Sequence, residues 1–119
     1  MKLFILITGI GEVLIGLLMF FKPTVIPLLL KEKGIAFSMA RMYGAAATTI
    51  GAFAVMVSMY FDRVELHQPF LMVYLVFHTL VAASVLVSIR ANEPADSKIA
   101  VLHSLLAIGT AYFLWNSFV

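Results

Sequence analysis

The chain has 119 residues, of which 63% are hydrophobic and only 12% charged, and its mean hydropathy is +1.07. Soluble domains carry about 45–50% apolar and about 25% charged residues, so the composition excludes an ordinary soluble domain. The net charge of +2 is spread over connecting segments, which excludes the clustered basic face of a nucleic-acid-binding protein. Because the sequence has no cysteine, disulfides and thiolate metal sites are excluded as well.

Four apolar segments follow one another along the chain. We predict helices over residues 3–21, 35–61, 70–89 and 99–118. Each is close to or above the length of about 20 residues that crosses the hydrocarbon, and a spanning segment must be helical to satisfy its own backbone. The sequence therefore predicts one domain over residues 1–119, an all-α integral membrane four-helix bundle.

The connections between these segments are short and predict the orientation. An apolar stretch with Pro23 and Pro27 follows the first helix, and we interpret it as an interfacial turn, while Pro94 marks a solvated turn. Most basic residues of the connections fall in loops 22–34 and 90–98, at Lys22, Lys31, Lys33, Arg90 and Lys98. The positive-inside rule then places these loops in the cytoplasm and both termini outside. We expect no cleaved signal peptide, since no small-residue cleavage site follows the first apolar run.

The second predicted helix combines small residues with one cation, Arg41. An arginine at bilayer depth costs roughly 2.5–3.5 kcal/mol on insertion scales, so it needs a protein partner or a short reach to the headgroups. Gly44, Thr48 and Gly51 follow it in the same helix. Small residues let two helix backbones approach closely, and we favour packing within the bundle over a homodimer contact. On this interpretation Arg41 faces protein.

The first predicted helix carries an acidic residue, Glu12, between Gly9 and Gly16. These glycines lie on the face of Glu12, which makes this a second surface suited to close approach. We therefore expect the first and second helices to pack on their glycines, with Glu12 and Arg41 forming an ion pair or bridged by water. A purely structural role for this pair stays open.

Two histidines complete a set of four polar residues, one from each helix. At 1.5 Å per residue from the loop boundaries, Glu12 and His78 lie about 15–18 Å deep, whereas Arg41 and His103 lie about 7–10 Å deep. This arrangement predicts a polar pocket or proton relay. The alternative is that each histidine simply hydrogen-bonds a neighbouring helix.

The same depths argue against a metal centre. His78 and His103 are separated by about 10 Å along the membrane normal, whereas two axial ligands of one haem must approach the iron at similar depth. No HExxH motif or thiolate set indicates zinc. We therefore expect no metal site, and no catalytic residues are identified. The two histidine segments are alike, VFHTLVA from Val76 and VLHSLLA from Val101, which we interpret as a common packing pattern.

A first span with glycines, the turn KPTVIP and the second span ARMYGAAATTIG together resemble the DoxX-like group of small four-helix membrane proteins. The similarity in motif rests on Arg41, Gly44, Gly51, Pro23 and Pro27. The resemblance implies an accessory or uncharacterised membrane component, in some cases tied to quinone-linked sulfur oxidation. It carries over no catalytic residue.

Three functions remain open from the sequence. The first is a membrane protein that binds a hydrophobic small molecule, a lipid or a quinone, or that serves as an accessory subunit of a larger membrane complex. The second is an oligomeric proton-coupled transporter or channel that uses Glu12 and His78. The third is a membrane enzyme acting on a lipid or quinone with a histidine base. This hypothesis is the least favoured, because no nucleophile or metal accompanies the histidine.

Overall fold

A computed structural model describes residues 1–25, 35–93 and 95–118. It contains four long helices: α1 (Lys2–Phe21), α2 (Ile35–Met59), α3 (Val64–Arg90) and α4 (Ser97–Asn116). A single turn of 3₁₀-helix, Pro23–Val25, follows α1. No strand occurs in the described part of the chain. The all-α class predicted from the composition is therefore confirmed.

The helices divide between two compact units, residues 1–62 with α1 and α2, and residues 63–119 with α3 and α4. The prediction of a single domain stays a prediction. The main difference from the predicted bounds is at α3, which begins six residues earlier than expected and contains Pro69 within it. Pro69 removes only one backbone hydrogen bond near the helix start, so the helix continues through it. The expected turns at Pro27 and Pro94 lie outside the described residues.

All four helices are long and apolar enough to cross a membrane. Only 17–33% of the residues in the most apolar window of each helix are buried. The exposed positions are largely leucine, isoleucine, valine, phenylalanine and methionine. A soluble protein rarely exposes so much contiguous apolar surface, whereas lipid tails solvate it without cost. The apolar exposed surface thus agrees with the membrane location that the composition predicts.

Within the first unit, α1 and α2 run antiparallel and touch through glycine. A Cβ atom added to Gly51 would lie 2.6 Å from the carbonyl oxygen of Gly9, and one added to Gly44 would lie 2.6 Å from that of Gly16. A Cβ added to Gly16 would also lie 2.5 Å from the Oγ1 of Thr48. There is no room for a side chain at these three positions, so the backbones are in direct contact.

Within the second unit, α3 ends in a tight turn. The N–H of Glu93 donates to the carbonyl of Ser88 (2.9 Å), and the N–H of Asn92 donates to that of Ile89 (3.2 Å). Asn92 has a φ of 57°. This is a Schellman ending, in which a left-handed residue turns the chain back toward its helix. At the start of α4, the Asp96 carboxylate accepts the N–H of Lys98 (2.9 Å) and caps the helix.

Candidate functional site: a buried histidine pair

The α3–α4 unit contains two histidines in direct contact inside the apolar span. The Nδ1 of His78 lies 2.8 Å from the Nδ1 of His103, and the ring centroids are 5.0 Å apart. Both side chains are buried, His78 completely. Neutral imidazole carries one N–H donor and one acceptor nitrogen. At this distance one Nδ1 donates its proton to the other.

The predicted separation of these histidines is therefore wrong. The prediction assumed that both helices meet their loop at the same level. In the structure His78 lies 12 residues before the end of α3 and His103 only six residues after the start of α4. Because the rings nevertheless touch, α3 extends further toward the loop than α4 does. The Schellman ending at Asn92 begins the reversal of the chain directly after α3.

Aromatic rings hold the pair in place. Along one face of α3, the ring of Phe70 stacks on Tyr74 at 5.0 Å, and Tyr74 meets the edge of His78 at 4.3 Å. Phe77 lies against both imidazoles, with centroid distances of 5.2 Å to His78 and 6.2 Å to His103. Phe70 and Tyr74 are almost fully buried. Such packing fixes the ring planes and keeps the histidine pair in a low-dielectric setting.

Sequence reasoning missed this aromatic ladder, although its signal was present. Phe70, Tyr74 and His78 are spaced four residues apart, which puts them on one face of a helix. The third histidine, His67, was also missed because residues 62–69 were interpreted as a loop. In the structure His67 is buried in the first turns of α3.

The paired arrangement allows one proton to enter at one ring while another leaves from the partner ring. If the donor histidine gains a proton at Nε2, it can pass its Nδ1 proton to the partner, which then releases the proton on its own Nε2. Each ring ends neutral, and the direction of the hydrogen bond is reversed. A second proton moving the same way requires the two rings to exchange tautomers first.

The gap between the two Nδ1 atoms is too narrow for a metal ion as it stands. Metal–imidazole bonds measure about 2.0–2.1 Å, so an ion between both nitrogens would need them farther apart than 2.8 Å. The reason given from sequence against haem, a 10 Å offset, no longer holds.

The remaining predicted site residues lie in the α1–α2 unit. Glu12 is buried, and its Cβ lies 2.8 Å from where a Cβ on Gly51 would be. Arg41 lies ten residues before Gly51, which is about 15 Å along the axis of α2. Its side chain is exposed rather than facing protein. The structure thus gives no support to a Glu12–Arg41 ion pair, because the helix register puts the two residues at different levels.

The packing residues predicted from the sequence come together in that same unit. They are the small residues of the α1–α2 contact, namely Gly9, Gly16, Gly44, Thr48 and Gly51. The hydroxyl of Thr48 donates to the carbonyl of Gly44 (2.8 Å) and so leaves no donor unsatisfied there. The close approach of α1 and α2 depends on this set.

The α3–α4 unit also has a groove on its surface, with a volume of about 330 Å³. Its walls are small or aliphatic apart from two hydroxyl groups. The lining residues are Thr79, Ala82, Ala83, Leu86, Ser104, Ala107 and Ile108. The hydroxyls follow His78 and His103 directly in sequence, and the alanines at 82 and 107 lie four residues after each histidine. The repeated motif of the two helices therefore lines one groove.

Searches against protein-family models, curated proteins and solved structures gave no match. The resemblance to the DoxX-like group accordingly receives no support from them.

Proposed function

We propose that this protein transfers protons inside the membrane, with the His78–His103 pair as the relay, and that it acts as an oligomeric proton-coupled transporter or channel. The observation that carries this proposal is the 2.8 Å contact between two buried Nδ1 atoms within apolar spans. Ionisable side chains at bilayer depth are costly, and where they occur they mark proton and ion pathways.

The alternative role of the pair is a structural hydrogen bond between α3 and α4. One such bond in a membrane contributes about 0.6 kcal/mol on average, so packing alone gives little reason to place two titratable rings there. A hydroxyl or amide would serve as well. Imidazole differs from these groups in that it has two ring nitrogens, so it can accept a proton on one and release a proton from the other. The choice of residue therefore favours the relay over the structural role.

The test is proton flux into proteoliposomes that contain a pH-sensitive dye, driven by a potassium diffusion potential. We expect His78→Gln and His103→Gln each to abolish the flux, because glutamine keeps a hydrogen bond but cannot relay a proton. His67→Gln is the matched control, since it removes a buried histidine of α3 that lies outside the pair. Wild-type flux in either pair variant, with folding intact by circular dichroism, would refute the relay.

Glu12 belongs to the same test because it is a buried titratable group within another span. Glu12→Gln keeps the shape of the side chain and removes the exchangeable proton. We expect it to lower flux as well, as the sequence analysis anticipated for a pathway with more than one carrier. Normal flux in this variant would restrict the relay to the histidines.

A second candidate function is the binding of a hydrophobic small molecule, lipid or quinone, and it rests on the groove of α3 and α4. The hydroxyls of Thr79 and Ser104 have no hydrogen-bond partner among the described residues. By contrast, hydroxyls elsewhere in the helices donate to backbone carbonyls, as in Thr49, Ser84 and Thr110. Since an unsatisfied hydroxyl in hydrocarbon is unfavourable, a ligand with a carbonyl oxygen would complete this groove.

Native mass spectrometry after membrane extraction tests this second function. A bound quinone or lipid should appear with the wild type and be reduced in a Thr79→Val, Ser104→Ala double variant. Thr49→Val is the control, because Thr49 is an exposed hydroxyl that already bonds to the carbonyl of Ala45. Equal ligand in all three proteins would exclude the groove as the binding place.

We also propose the orientation of the chain. The basic residues of loops 22–34 and 90–98 favour a cytoplasmic location for both loops, with the two termini outside.

A further inference from the structure

The helix register of the first unit brings two cations to one level. Gly44 meets α1 at the backbone N–H of Phe20, 2.7 Å from where its Cβ would lie. Arg41 precedes Gly44 by three residues, and α2 runs antiparallel to α1. Arg41 therefore lies level with the last residues of α1, close to the level of Lys22, which caps that helix.

Both side chains are exposed, and neither makes a side-chain hydrogen bond or ion pair to any residue that the structure describes. The apolar span of α1 ends at Phe21, just before Lys22. The rings of Phe20 and Phe21 are exposed there and meet edge to face at 5.1 Å. The cations thus lie at the boundary where an apolar surface gives way to a polar one, and lipid phosphates occupy this depth.

We propose that Arg41 and Lys22 bind the phosphate of an anionic phospholipid, whose acyl chains lie along the apolar end of α1. The guanidinium offers a planar fork of donors that suits two phosphate oxygens, and the ammonium adds a second positive charge. Basic residues between helices at the membrane surface are a known means of holding such headgroups. The exposed Leu17, Leu18 and Phe21 provide the adjoining surface for the chains.

The charge of the two side chains explains the choice of ligand. A zwitterionic headgroup carries its own cation, which would face Arg41 and Lys22 and weaken the contact. An anionic headgroup has no such cation. The site is therefore selective for net negative lipids such as phosphatidylglycerol over phosphatidylcholine.

The experiment is a titration of the purified full chain in detergent with phosphatidylglycerol or phosphatidylcholine, read by native mass spectrometry. We expect phosphatidylglycerol to bind more tightly, and Arg41→Gln and Lys22→Gln to weaken it by about fivefold each. Arg41→Lys keeps the positive charge and should therefore retain part of the affinity. Binding by this variant would show that a protein substituted at position 41 still folds. Lys2→Gln is the control, because it removes one positive charge from the opposite end of α1.

Three results would overturn the proposal. The first is equal affinity for both lipids in the wild type. The second is a loss in Lys2→Gln as large as that in Arg41→Gln, which would indicate only a net-charge effect. The third is displacement of phosphatidylglycerol by millimolar inorganic phosphate, which would identify a general anion site instead of a lipid site. Since none of these readouts involves proton flux, failure here leaves the histidine relay untouched.

Discussion

The Nδ1 atoms of His78 and His103 share one hydrogen bond at 2.8 Å, deep in the apolar part of the α3–α4 hairpin. Two identical rings that face each other through the same atom cannot both be donors or both be acceptors. The neutral pair therefore has two states of opposite tautomers: the ring that holds the shared proton on Nδ1 has a bare Nε2, and the other ring is protonated at Nε2. This bistability is the physical property on which the proposed relay depends.

The two states predict a definite nitrogen spectrum. With ¹⁵N-labelled histidine near neutral pH, one ring should show a protonated Nδ1 and the other a protonated Nε2, or an average if exchange is fast. His103→Gln should remove this signature from His78 and leave the signal of His67 unchanged. Two rings of the same tautomer would contradict the shared hydrogen bond.

Acid should weaken the α3–α4 hairpin. When both imidazoles carry two protons, neither Nδ1 can accept, so the hydrogen bond is lost and two cations repel each other in a low-dielectric setting. The free energy of unfolding should therefore fall as the pH is lowered through the titration of the pair. Thermal unfolding in detergent across pH measures this, and the wild type should lose more stability at low pH than His78→Gln. Parallel pH profiles would argue against the paired geometry.

The glycine contact of α1 and α2 should tolerate no side chain at its centre. Gly51→Ala places a Cβ 2.6 Å from the Gly9 carbonyl oxygen, so the helices must move apart, at a cost of about 1–3 kcal/mol. Gly11→Ala is the matched control in α1, since nothing lies within 4 Å of its added Cβ. Unfolding monitored by circular dichroism should separate the two variants clearly. Equal stability would mean that the helices do not meet on this face.

The turn at Asn92 should control the alignment of the histidines. A φ of 57° suits glycine and asparagine, whereas a β-branched side chain there is strained by about 1–2 kcal/mol. We expect Asn92→Gly to behave like the wild type in stability and flux. Asn92→Val should lower both, because relaxing the turn shifts α4 along α3 and separates the rings. A valine variant with normal flux would show that the register does not depend on this turn.

The proposed orientation can be tested with introduced cysteines, because the chain has none of its own. Asn116→Cys, at the exposed end of α4, should react with a membrane-impermeant maleimide added outside the cell. Glu93→Cys, exposed in the turn after α3, should react only after the membrane is permeabilised. The reverse pattern would invert the topology.

The amino-acid sequence by itself determined the all-α class and the four spanning segments. These depend on the amount and continuity of apolar residues, which any helix in lipid must have regardless of its neighbours. Small residues such as Gly44 and Gly51 also pointed to close helix approach, because the absence of a side chain is a local property. Local composition, however, places each helix only relative to its own ends.

Only the tertiary structure decided which polar groups meet. Whether His78 reaches His103 depends on how far α3 extends past the start of α4, an offset that the tertiary structure alone shows. Likewise, the level of Arg41 follows from the register of glycine contacts, which puts it near the level of Lys22 and about 15 Å along α2 from the level of Glu12. Counting residues from loop boundaries cannot supply such offsets, because the relative sliding of two helices is fixed by contacts between them.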